Sequence, residues 1–232
     1  MITRARVLAA LATVHDPELD EPITSLGFVG SCVVTGGGDV DVHLRLPTPQ
    51  CAPNFAFLMA SDAREAVRRL PGVGEVGVAL DDHYTAHEIN AAVARGAGFG
   101  AAFPGESAGD LGALRTLFRR KALLARQGRV AAMLLDGDAD AATVVALRVA
   151  DLPDHPEVDR CLVLRRELGL PSGPRSPAVV AGDGSPIPAS DLAPWLRRAR
   201  LVGLSLESNG GLCRSLLHVR HGVPDPTEEV AT

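Results

Sequence analysis

The residues with the strongest chemical potential lie in the stretch V-D-V-H-L-R-L-P-T-P-Q-C-A-P-N-F-A-F-L-M, residues 40–59. Val40, Val42, Leu44 and Leu46 alternate with polar residues, the period of a strand with one buried face. Pro47 and Pro49 cannot donate to a sheet ladder, and Phe55, Leu58, Met59, Ala63, Ala66, Val67 and Leu70 follow at helical spacing. A strand therefore ends near Leu46 and a helix begins near Pro53. Cys51 falls between them, in a tight loop aimed at a helix N-terminus. Free N–H groups and the helix dipole there favour a thiolate over a thiol, which makes Cys51 a candidate soft-metal ligand or sulfur nucleophile.

Four further groups compete for attention. Asp16, Glu18, Asp20 and Glu21 crowd the loop D-P-E-L-D-E, whose plain reading is a solvated helix end. His83 and His87 are four residues apart and form a weak candidate metal pair, although Thr85 and Glu88 have the spacing of a capping box that starts a helix at Ala86. Ser208-Asn209-Gly210-Gly211 reads as a capped helix start after an extended segment Leu201–Leu206. That places Cys213 in a first helical turn, the same setting as Cys51. Cys32 and Cys161 fall inside regular elements, where packing accounts for them.

The elements that must position these groups follow in order. Thr3 to Val14 predicts a helix, Phe28 to Thr35 a strand, and Gly36-Gly37-Gly38-Asp39 a hairpin into the Val40 strand. Val76, Val78 and Leu80 predict a third strand. The order α-β-β-α-β implies a small three-stranded α+β domain at residues 1–95, with a right-handed crossover into its last strand. Glycine and alanine enrichment after Gly96 marks a boundary. A mainly helical part is expected over 96–232, interrupted by a loop from Pro171 to Pro188 that holds five of the 17 prolines.

Composition narrows the classes of function. The chain has 232 residues, 46% hydrophobic, and only 3% aromatic, so it has material for a core but little for stacking nucleic-acid bases. A net charge of -5 argues against nucleic acid or an anionic membrane as partner. Neither a membrane-spanning run nor a signal peptide is evident, and a cytoplasmic location is expected. With no C-x-x-C pair, the four cysteines are expected to be free thiols unless a metal holds them.

Taken together, D-P-E at Asp16-Pro17-Glu18, I-x-x-L-G-F-V at Ile23–Val29, T-P-x-C at Thr48–Cys51 and P-G-V-x-x-V-x-V at Pro71–Val78 form a recognisable series. The chain resembles the SufT/PaaD-type iron–sulfur cluster assembly domain over roughly residues 4–90. Pro47 stands where a threonine is common, and Ala52-Pro53 replaces a proline directly after the cysteine. The resemblance implies an α+β fold and a role in assembling or delivering clusters. It also implies that Cys51 is the reactive cysteine, that Asp16 and Glu18 form the acidic motif, and that Thr48 shares the cofactor-binding loop. Longer bacterial proteins of this type look associated with di-iron hydrocarbon monooxygenases, which suggests such an enzyme, or another assembly protein, as client.

Three functions follow as expectations. The first is a non-enzymatic carrier holding an iron–sulfur cluster or iron transiently. One thiolate cannot satisfy a cluster that normally takes four, so either Cys213 or a second copy of the chain must help. The second is a maturation factor or chaperone that binds a di-iron oxygenase itself. The third, ranked last, is an enzyme with Cys51 as nucleophile and His83 or His87 as base.

Overall fold

The computed structural model describes residues 1–105, 111–137 and 140–223. Packing divides the chain into two units, Met1–Ala113 with Ser208–Thr232, and Leu114–Glu207.

The first unit has the expected α+β order: α1 (Arg4–Leu11), β1 (Val29–Val34), β2 (Val40–Arg45), α2 (Pro53–Arg68), β3 (Val76–Asp81) and α3 (Ala86–Ala94), followed by the short α4 (Phe99–Ala102). β2 is central, antiparallel to β1 and parallel to β3, with Val42 opposite Cys32 on one side and Val78 on the other. The alternation in β2 is realised, since Val40, Val42 and Leu44 are buried while Asp41 is exposed. α2 covers this face through Ala56, Ala60, Ala63 and Val67, all fully buried at helical spacing. Small side chains on that stripe let the helix approach the sheet closely, and removing a core side chain such as Leu44 to alanine would cost about 2–5 kcal/mol.

Two local expectations are corrected. α1 stops at Leu11 rather than near Val14, because the chain tightens into turns in which the Thr13 and Val14 N–H groups donate to Ala10 and Leu11 carbonyls. The Thr85–Glu88 capping box does not form, because the Thr85 hydroxyl donates instead to Nδ1 of His83 at 3.1 Å.

The second unit is built from the rest of α5 (Leu111–Asp136), α6 (Ala141–Ala146), a 3-10 turn at Val149–Asp151, α7 (Pro156–Glu167) and the first part of α8 (Ala189–His221). Polar side chains fix its proline-rich loop. Gln127, buried on α5, donates from Nε2 to the Val180 carbonyl and accepts the Val180 N–H at Oε1. Arg165, with no solvent exposure, donates to the carbonyls of Pro171, Pro177 and Ala178. These bonds satisfy backbone groups that a loop without ladder partners would otherwise bury unpaired.

The expected boundary at residue 95 is drawn differently by the fold. The Phe99 and Phe103 rings meet at a tilt of 41°, and Phe99 meets Phe57 edge to face, so this segment belongs with the first unit. The end of α8 does so too, because Leu217 is fully buried in the first unit's core. The extended segment expected at Leu201–Leu206 and the helix start at Ser208–Gly211 are absent, since α8 runs through both as one helix of 33 residues.

Candidate functional site

The Cys51 loop is held from several directions. Within it, the Cys51 N–H donates to the Thr48 carbonyl at 3.4 Å, and Thr48 Oγ1 lies 3.6 Å from Sγ. From the far end of β3, the Tyr84 N–H donates to the Pro49 carbonyl at 3.1 Å, and His83 Nε2–H donates to the Cys51 carbonyl at 2.8 Å. Asp82, with φ of 51°, turns the chain so that His83 can do this; aspartate is among the few residues that enter this region readily. Ala52 supplies no side-chain cap to α2 and Pro53 has no N–H, so the thiol sits just before a helix start left open by its own sequence. Cys51 is half-buried, neither enclosed nor projecting into solvent.

His83 is a positioning residue. It is buried, with Nε2 spent on the Cys51 carbonyl and Nδ1 accepting from Thr85, which fixes the neutral tautomer and occupies both ring nitrogens. His87 is exposed on α3. The pair therefore does not converge as a metal pair. Among the described residues no group of three or more histidine, cysteine, aspartate or glutamate side chains is arranged to hold a metal ion.

Asp16 shapes the acidic loop. Its Oδ1 accepts the N–H groups of Glu18 and Leu19 at 2.8 and 2.9 Å. Burial nevertheless pushes its carboxyl up to about 6, outweighing those two N–H groups, with the charges of Glu18 and Glu21 adding to the rise. Glu21 pairs with Arg214 of α8 at 2.7 Å.

Cys213 is not in a first helical turn. It lies deep within α8, half-buried, and burial pushes its thiol up to about 11, with the negative charges of Asp16, Cys51 and Glu18 adding to the effect. The helix-start electrostatics expected for it are thus reversed. Its neighbour Arg214, however, reaches the acidic loop through Glu21. Arg220, also on α8, donates to the Leu46 carbonyl at 3.4 Å and pairs with the Asp82 carboxylate, so α8 grips the ends of both loops that frame Cys51. Glu21 was visible only as part of the acidic loop, and Arg214 and Arg220 left no local signal, since their partners lie well over a hundred positions away.

Residues 4–78 match the family model described as iron-sulfur cluster assembly protein. Through this domain the chain belongs to the iron–sulfur cluster assembly protein family. An iron-sulfur cluster carrier protein of Mycobacterium leprae is 36% identical over 78 residues, which are 34% of this chain and 20% of that protein. An uncharacterized protein of Methanocaldococcus jannaschii is 37% identical over 90 residues, 39% of this chain and 93% of that protein. The assembly domain holds Asp16, Glu18, Thr48 and Cys51, whereas His83, His87 and all of α8 lie beyond the family match. Cys32, in β1, and Cys161, in α7, are buried, and burial raises both thiols, that of Cys161 to about 11. They are packing residues. No described helix is long and apolar enough to cross a membrane.

Proposed function

We propose that the protein is a non-enzymatic carrier that takes up an iron–sulfur cluster or iron on Cys51 and hands it to a client metalloprotein. The observation that carries the reading is the construction of the Cys51 loop. A half-buried thiol, with its backbone tied down by His83, Tyr84 and Thr48, stands before an uncapped helix start in a cluster assembly domain. Thiolate sulfur suits iron–sulfur centres, and a fixed backbone lowers the entropic cost of presenting it. Partial exposure keeps the cargo within reach of a recipient.

Absence of turnover chemistry is part of the reading. Both nitrogens of His83 are committed, so the nearest histidine is not free to act as a base toward Sγ. A recipient of the di-iron oxygenase type, suggested by the sequence resemblance, is one client to try.

Anaerobic reconstitution with ferrous iron and sulfide tests the proposal. The wild type should acquire thiolate-to-iron absorption and pass iron to an apo acceptor, while Cys51→Ser, folded as judged by circular dichroism, should do neither. Equal loading of the two proteins would overturn it.

A further inference from the structure

The last four turns of α8 carry Gly210, Cys213, Arg214, Leu217 and Arg220, which recur at three and four residues and so share one helix face. Each neighbour of Cys213 on this face has a defined contact in the first unit. A Cβ on Gly210 would stand 2.8 Å from Glu21 Oε1, so the bare backbone makes room for the acidic loop. Arg214 pairs with Glu21, Leu217 is buried in the core beside the sheet, and Arg220 donates to the Leu46 carbonyl at the root of the Cys51 loop. Cys213 is thereby bracketed between the D-P-E loop and the Cys51 loop. It packs on the same core cluster as Cys51.

We infer that Cys213 supplies the second thiol of the iron site, so that Cys51 and Cys213 together hold a thiophilic iron centre through two sulfurs. The inference rests on the carrier reading given above and adds to it a ligand from outside the family domain.

A two-thiol site also fits what surrounds it. His83 has no free ring nitrogen. No third protein ligand is arranged with the two sulfurs among the described residues. An iron centre bound here keeps its remaining positions for inorganic sulfide and for ligands of the donor or recipient. On loading, each Sγ loses its proton and forms one Fe–S bond, and the outgoing ligand of the iron takes that proton. No electron is transferred.

Two probes test the pairing on the full chain. Phenylarsine oxide closes a ring across two neighbouring thiols and reads proximity without iron. It should protect Cys51 and Cys213 together from alkylation, as mapped by mass spectrometry, and protect neither in Cys51→Ser or Cys213→Ala. Ferrous iron is the second probe. Cys213→Ala should weaken its binding by at least about 10- to 100-fold, the loss already typical of an outer-shell partner of a metal ligand, with the circular dichroism of the wild type retained. Wild-type iron affinity in Cys213→Ala, with Cys51→Ser defective, would overturn the inference and leave the carrier reading standing. A wild type that binds no iron would remove both. Failure of the arsenical to bridge the two thiols would overturn the pairing by itself.

Discussion

At the scale of single residues, the best-determined feature is how much of the His83 side chain is spent on holding a loop. His83→Ala should remove the bond to the part-buried Cys51 carbonyl, at about 0.5–1.5 kcal/mol. The loss should be visible as a lower urea midpoint. Iron uptake by the still-folded protein should fall as well, because the Cys51 backbone is no longer fixed; unchanged uptake would show the anchor to be purely structural. His43, on β2, gives a separate pH prediction. Nδ1 lies 2.7 Å from Asp81 and Nε2 3.1 Å from Asp41, and the hydrogen bond to Asp81, then the charges of both carboxylates, raise the imidazole above its ordinary value. A raised folded-state value means that protonated His43 stabilises the fold. That stability is fully present below the unfolded value of about 6.5 and is lost as pH rises through the folded one. Wild type should therefore lose more stability than His43→Asn as pH is raised through this window, by a small amount that added salt reduces, because all three groups are well exposed.

At the scale of elements, strands were legible and the last helix was not. β2 announced itself because side chains on a half-buried strand alternate with a fixed period, and the Pro-flanked Cys51 loop followed from the missing N–H groups. α8 contradicted its own sequence. Gly203 and the run Ser208-Asn209-Gly210-Gly211 are poor helix formers, and intrinsic propensity favours a break. Tertiary contacts override it, and two of its glycines differ in a testable way. A Cβ at Gly203 would meet the Ala125 Cβ at an ordinary 4.0 Å, so Gly203→Ala should stabilise by up to about 1 kcal/mol through helix propensity. A Cβ at Gly128, on α5, would stand 2.5 Å from the Ala199 Cβ, which cannot swing away. Gly128→Ala should therefore destabilise by about 1–3 kcal/mol as α5 and α8 are forced apart, despite the same gain in propensity. Urea denaturation of the two variants should give shifts of opposite sign; a destabilised Gly203→Ala would argue against a continuous helix there.

At the scale of the whole molecule, the family motifs cover residues 4–78, and what lies beyond could not be assigned from sequence because its decisive contacts are long-range. Arg214 finds Glu21 across 193 positions, and Arg220 finds Leu46 across 174; no local pattern encodes such pairings. The consequence is that one helix serves two cores. Leu192, near its start, is 1% exposed and packs with Val144, Val179 and Ile187, whereas Leu217, near its end, is fully buried among the residues that surround the sheet. Truncating either to alanine should cost about 2–5 kcal/mol, the usual penalty for a large cavity, but in different places. Trp195, the single tryptophan, packs beside Leu192 and reports on the second unit, while alkylation of the buried Cys32 reports on the first. Leu217→Ala should accelerate Cys32 alkylation in dilute urea, and Leu192→Ala should shift the Trp195 fluorescence transition. A Leu217→Ala protein whose Cys32 stays as protected as in the wild type would mean that the end of α8 contributes nothing to the assembly domain, and the grip of Arg214 and Arg220 on its loops would lose its energetic basis.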